Sequence, residues 1–194
     1  MSQSVLVKQK RLLMKYFNGF SLKGEDVFFK EKLINNDFTV AGFSYGAIKA
    51  FEYAYHSQDR IDRLILLSPA LFQNHKKSFV RIQLHYYKAD EKAYTEQFLK
   101  NVAYPSSVQL DEYLVQGKVE ELEALLSHKW DKDKILGLLK RGVKIEVFIG
   151  AEDKIVDAQK SFEFFSELVP CYFMKGVGHL LLPHSNSNKK IVVI

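Results

Sequence analysis

Gly42-Phe43-Ser44-Tyr45-Gly46 has the pattern G-x-S-x-G. In that pattern a serine at the tip of a sharp strand-to-helix turn presents its hydroxyl as a nucleophile. The turn holds the serine in a strained backbone conformation and needs small residues two positions to either side, so that helix and strand can approach. Gly42 and Gly46 meet that need, and Ala47 extends it. The helix that follows would also aim its free N–H groups at the site, where negative charge on a substrate oxygen could be held.

A serine hydroxyl needs a general base, and the base needs an acid to orient it. The chain has six histidines: His56, His75, His85, His128, His179 and His184. His179 follows Gly176-Val177-Gly178 directly after an expected strand, which puts it on the same sheet edge as Ser44. His56 falls at the far end of the helix behind Ser44. His75, His85 and His128 fall in a helical block, and His184 follows Pro183 near the tail. Asp153 lies in Gly150-Ala151-Glu152-Asp153, again just past an expected strand. Glu152 and Asp157 are nearby rivals, and the spacing from Gly150 favours Asp153. After the strand at 64–67 the corresponding acid position holds Ser68-Pro69, so no carboxylate competes there. Two backbone N–H groups must hold the oxyanion. One is expected from Tyr45, the residue after the nucleophile. The other is expected from Phe20, in the turn Asn18-Gly19-Phe20-Ser21, although Phe20 reads equally well as a hydrophobic turn residue.

The elements that would position these groups follow from hydrophobic pattern. Residues 14–17, 38–41, 64–67, 143–149 and 170–174 are short apolar runs typical of buried strands; Gly42 is expected to close the second and Gly150 the fourth. Residues 25–35, 47–55 and 158–168 show helical spacing. Residues 72–141 contain helix-like stretches at 91–100, 109–114 and 119–126 and no buried strand. Continuous apolar strands alternating with helices predict a mostly parallel sheet with helices on both faces. The expected organisation is a core of residues 14–71 and 142–194, a helical cap inserted at 72–141, and an N-terminal extension, residues 1–13, that the fold does not need.

The chain is 194 residues long and 47% hydrophobic, enough for one domain with a real core. It has no apolar run of the length a membrane span needs, and its N-terminus lacks a signal-peptide core. The one cysteine, Cys171, sits in a strand-like run and reads as a small buried apolar residue. A cytoplasmic location is expected on these grounds. The net charge of +5 is too diffuse to argue for nucleic acid, and no nucleic-acid motif accompanies it. No metal or cofactor is required by the chemistry above.

Five motifs in order resemble the α/β-hydrolase superfamily: Asn18-Gly19-Phe20, Gly42-Phe43-Ser44-Tyr45-Gly46, Leu67-Ser68-Pro69-Ala70, Gly150-Ala151-Glu152-Asp153 and Gly176-Val177-Gly178-His179. The order serine, acid, histidine is the one that fold uses. The resemblance implies a reduced α/β-hydrolase fold with Ser44, Asp153 and His179 as triad. The short entry Met14-Lys15-Tyr16-Phe17-Asn18-Gly19-Phe20 looks more particularly like the short pimelyl-[acyl-carrier protein] methyl ester esterases of biotin synthesis. That likeness implies a methyl-pimeloyl chain on an acyl-carrier protein as substrate and partner. Two departures stand out. Asn18 replaces the family's usual histidine, and the strands that usually precede this turn are almost absent, so the sheet should have an edge near the N-terminus.

Lys76, Lys77, Arg81 and Lys88 occupy a stretch without acidic residues, interleaved with Phe79, Val80, Ile82, Leu84, Tyr86 and Tyr87. Cations beside an apolar slot would suit an acidic carrier protein and its acyl cargo. The same charges read as a solvated face of a cap helix. A general short-chain carboxylesterase or acyl thioesterase, and an inactive hydrolase fold kept as a binding module, are the other functional readings.

Overall fold

The computed structural model describes residues 13–184 together with Val192 and Val193. The first twelve residues of the expected extension and the polar tail from Ser185 lie outside the described residues. Five strands run parallel in sequence order: β1 (Lys15–Phe17), β2 (Thr39–Phe43), β3 (Arg63–Leu67), β4 (Lys144–Gly150) and β5 (Cys171–Lys175). A two-residue strand, β6 (Val192–Val193), pairs antiparallel with β5. The helices are α1 (Tyr45–His56), α2 (Lys77–Ala89), α3 (Glu91–Ala103), α4 (Val119–Ser127), α5 (Lys132–Lys140) and α6 (Ala158–Ser166). β1 pairs with β2 and has no other neighbour among the described residues, so the expected N-terminal edge is present.

The strands form where the apolar runs are, and they bury both faces as parallel strands do. Alternate residues feed two cores. Val40, Leu64, Leu66, Ile145 and Val147 join Ala47, Phe51, Ala54, Leu138 and Phe165 from α1, α5 and α6. Ala41, Phe43, Ile65, Leu67 and Met174 face the opposite way. Expected coverage of both faces is met unequally. The helices α1, α5 and α6 crowd one face. The other is covered by Phe29 from a 3-10 turn (Glu25–Phe29), by Leu180 and Leu181, and by Val102 and Ala103 at the end of α3.

Several elements differ from the sequence expectation. The helix expected at 25–35 is only that 3-10 turn, after which the chain bends through turns to Asn36. The stretch 109–114 contains only a 3-10 turn, Asp111–Tyr113. Gly42 does not close β2; it lies inside the strand, paired with Leu66 and Phe17. The helix α5 carries Ile135, Leu136, Leu138 and Leu139, but Gly137 breaks its helical spacing and it is only nine residues long, so it is not among the expected helices. It falls within the 72–141 interval yet packs on α1, where Lys134 binds Glu52 at 2.9 Å. Its N-cap Asp131 accepts from the Asp133 and Lys134 N–H groups. Thus α5 completes the crossover from β3 to β4, which leaves α2, α3 and α4 as the helices of the stretch expected to form a cap.

Helix α1 anchors the larger core. Its buried residues Ala47, Ile48, Ala50, Phe51 and Ala54 recur at helical spacing. Phe51 is fully buried and its ring lies 5.0 Å from that of Trp130, whose Nε1 donates to the Ala70 carbonyl at 3.0 Å. Phe51→Ala should therefore cost about 3–5 kcal/mol of stability, measured as a shift in the denaturant midpoint at constant slope.

Candidate active site

The turn at Ser44 is built by backbone contacts. Ser44 has φ 55° and ψ −114°, a left-handed conformation costly for a residue with a side chain. Its N–H donates to the Leu67 carbonyl at 2.9 Å, and its carbonyl accepts from Ala47 N–H at 3.1 Å. The end of β3 thus pins the turn while α1 begins from it. A Cβ on Gly42 would strike the Gly46 carbonyl, and one on Gly46 would strike the carbonyls of Phe17 and Asn18. Both glycines are required because helix and strands touch through bare backbone.

Asp153 and His179 meet at the ends of β4 and β5. Asp153 Oδ1 accepts from the N–H groups of Ile155 at 2.7 Å and Val156 at 3.1 Å. Its Oδ2 lies 2.6 Å from His179 Nδ1, with both side chains fully buried. Three carboxylate contacts leave the acid one orientation, and the Nδ1 contact sets that of the imidazole. His179 Nε2 is buried and has no hydrogen-bond partner, so it is not bonded to Ser44 Oγ in this structure. The imidazole ring lies 5.0 Å from the ring of Phe43, the residue immediately before Ser44. Glu152 and Asp157 have other contacts: Glu152 approaches His184 at 3.6 Å, and Asp157 caps α6 by accepting from Lys160 N–H at 3.0 Å. His56 pairs with Glu52, His75 stacks on Phe79, His85 lies against Tyr86, and His128 packs against Trp130.

Two residues that the sequence offers only as members of motifs have supporting contacts of their own. Ser68 is fully buried, with φ 41°, and its Oγ donates to the His179 carbonyl at 2.6 Å. Gly178 matters because a Cβ there would meet the Tyr104 carbonyl and Pro105, where the end of α3 rests on the histidine loop. The motifs mark both positions, but not these contacts, since each is made to a partner distant along the chain.

Gly19 to Leu22 forms a β-turn, closed by Leu22 N–H to Gly19 carbonyl at 3.4 Å with Ser21 at φ 56°. Phe20 occupies the second position of that turn, where the N–H makes no bond within the turn. Tyr45 is the first residue of α1, where an N–H has no intrahelical acceptor. Asn18, which replaces the usual histidine, accepts from Gly24 N–H at 3.0 Å. The cap closes on this turn. Val115 N–H donates to Ser21 carbonyl at 3.0 Å and Lys23 N–H to Tyr113 carbonyl at 2.8 Å. The Phe20 ring makes edge contacts with Tyr87 and Phe98, and Tyr87 O–H donates to Gly117 carbonyl at 3.0 Å. Ser44 is 2% exposed and His179 0%, so both are closed to solvent in this structure. A cavity of about 900 Å³ lies between α3 and residues 106–117, and neither Ser44 nor His179 lines it.

Lys76 is the N-cap residue of α2, and Lys77, Arg81 and Lys88 lie on that helix. All four are exposed and make no ion pair among the described residues. Positions 77, 81 and 88 share one helical stripe. Beside it Ser78, Arg81, Ile82, His85 and Tyr86 line a shallow cavity of about 320 Å³. Among the described residues no group of three or more His, Cys, Asp or Glu could hold a metal, and no helix is long and apolar enough to cross a membrane.

The sheet order, the strained serine between strand and helix, and the acid and histidine past later strands define the α/β-hydrolase fold in reduced form. Solved structures agree. An esterase from Exiguobacterium antarcticum matches with a TM-score of 0.59 at 18% identity, over 84% of this chain and 72% of that one. MenH from S. aureus matches with a TM-score of 0.57 at 15% identity, over 88% of each chain. BioG from Haemophilus influenzae matches with a TM-score of 0.51 at 10% identity, over 86% of this chain and 88% of that one. The sequence matches no family model and no curated protein.

Gly46→Ala forces a methyl group into two carbonyl groups of the β1 exit. It should cost about 3 kcal/mol or more, read as a lowered melting temperature. Burial pushes the Cys171 thiol up to about 12. Cys171 is half-buried rather than buried as its apolar run suggests, so it should react with a thiol reagent at pH 8 more slowly in the folded protein than after denaturation.

Proposed function

We propose that the chain is a serine ester hydrolase with Ser44 as nucleophile, His179 as general base and Asp153 as orienting acid. The observation that carries this reading is the buried Asp153–His179 contact of 2.6 Å, which leaves His179 Nε2 without a partner on the same sheet edge as the strained Ser44. Ser44 Oγ attacks the ester carbonyl carbon while Nε2 takes its proton, and Asp153 stabilises the imidazolium. The Phe20 and Tyr45 N–H groups hold the oxyanion. Collapse of the tetrahedral intermediate breaks the ester C–O bond, and the alcohol leaves with the proton from Nε2. Water then attacks the acyl-enzyme, giving its proton to Nε2. The acid leaves and the proton returns to Ser44 Oγ. The scheme draws on no metal or cofactor.

The substrate we propose is the methyl ester of a pimeloyl chain carried on acyl-carrier protein, with methanol as the leaving alcohol. Support comes from the sequence resemblance of the short N-terminal entry and from the unpaired stripe Lys77, Arg81 and Lys88 with Lys76 at its start. Exposed cations without partners of their own steer an acidic partner and set its register. The likeness to an esterase from Exiguobacterium antarcticum favours a general short-chain carboxylesterase as the second reading.

Ser44→Ala should lower turnover by about 10⁴-fold or more, and a fluorophosphonate probe should label the wild type but not this variant. Equal labelling of a folded Ser44→Ala protein would remove Ser44 from its role. Replacing Lys76, Lys77 and Arg81 together by alanine should raise KM for methyl-pimeloyl carrier protein about tenfold, the sum of three exposed charge pairs. KM for a small aryl ester should stay unchanged. Equal rates on both substrates in wild type and variant would favour the general esterase.

A further inference from the structure

Glu25 stands out among buried polar groups the reaction scheme does not use. It opens the 3-10 turn after β1 and is 0% exposed. Oε1 accepts from Gly19 N–H at 2.7 Å and from Tyr16 O–H at 3.3 Å, while Oε2 is buried with no partner. No cation pairs with it among the described residues. Burial pushes its carboxyl pKa up, and the neighbouring Asp26 adds to that. Lys49 acts on it through space without forming an ion pair, and a buried carboxyl without a paired cation costs stability, so core packing does not account for it.

What the carboxyl does hold is the turn. Gly19 immediately precedes Phe20, whose N–H is one of the two donors assigned to the oxyanion. With Gly19 N–H tied to Glu25, the Asn18–Gly19 peptide that enters the turn has one orientation, and the Gly19–Phe20 peptide that carries the donor is set between it and the Leu22 N–H bond to the Gly19 carbonyl. The tie ends in two fixed points, because Tyr16 belongs to β1 and Glu25 to the 3-10 turn packed under the sheet through Phe29. Residues 72–141 hold the same turn from the other side, through Ser21, Lys23 and the Phe20 ring. The contact at Glu25 is made without them.

We propose that Glu25 is a positioning residue for the reaction, its buried carboxyl group fixing the Gly19 amide so that the Phe20 N–H stays aimed at the oxyanion. This role rests on the ester-hydrolase reading above. What it requires is an acceptor at Oε1 rather than a charge, so glutamine can serve and an apolar side chain cannot.

The test compares wild type, Glu25→Met and Glu25→Gln on a p-nitrophenyl ester, with kcat and KM separated and folding followed by melting temperature. Glu25→Met keeps the length of the side chain and removes the acceptor. It should lower kcat about 10- to 100-fold, the scale of a misplaced transition-state donor, with KM within about twofold because the ground-state carbonyl gains little from the donor. Glu25→Gln should restore most of the lost kcat. If Glu25→Met does not fold, Glu25→Ala removes the same acceptor without the bulk. Failure of both to fold makes Glu25 a folding residue and overturns the role. So does a folded Met or Ala variant with wild-type kcat, or a loss that appears only in KM. A wild type that neither hydrolyses esters nor labels with a fluorophosphonate removes the ester-hydrolase reading and this role together. An active wild type with an unaffected Met variant removes this role alone.

Discussion

The contact between bare backbone at Gly42 and Gly46 is the constraint from which the rest of the site follows. It lets the first turn of α1 sit against the exits of β1 and β2. Only at that distance can Ser44 project from the tip of the turn, and only with a positive φ. The strain is held by bonds from outside the turn. Leu67, at the end of β3, accepts from the Ser44 N–H, and the helix begins by accepting Ala47 N–H on the Ser44 carbonyl. Such a conformation persists where the surroundings over-determine it, and here a neighbouring strand and a helix both do.

The same kind of contact recurs at the other site elements. A Cβ on Gly150 would strike the Gly178 carbonyl, so the acid loop and the histidine loop also touch through backbone. Ser68 then ties the histidine carbonyl back to the end of β3. Three strand ends are thereby cross-linked, and the Asp153–His179 contact lies among them. The cap adds its own ties, from Gly117 against Phe20 and from Tyr104 against Gly178. It therefore rests on both the turn expected to hold the oxyanion and the loop that carries the histidine.

Reduction of the sheet has a physical consequence. With three residues in β1 and no strand beyond it among the described residues, the turn at 18–21 lies near a sheet edge. Its brace is the 3-10 turn from Glu25 to Phe29, with Phe29 fully buried against Phe43 and the Glu25 carboxyl gripping Gly19. A short chain has little interior to spare, and a buried carboxyl without a cation is a costly thing to keep in it.

The sequence by itself determined the strands and what stands at their ends. Runs such as Leu64 to Leu67 have no polar face to turn outward, so they must be buried on both sides, and G-x-S-x-G is local because the steric demand it answers is local. Asp153 and His179 could be picked out because each follows a strand by a few residues. The tertiary structure decided what depends on partners far along the chain. That α5 serves the crossover rather than the cap follows from its docking on α1, and its own residues, interrupted by Gly137, carry little signal. That α1, α5 and α6 all take one face follows from the path of the chain between strands, which periodicity does not encode. In sequence Ser68 is one residue of the run Leu67-Ser68-Pro69-Ala70 and Glu25 opens an expected helix. They acquire their tasks from hydrogen bonds that span 111 and 6 residues, whose geometry exists only once the strands have come into register.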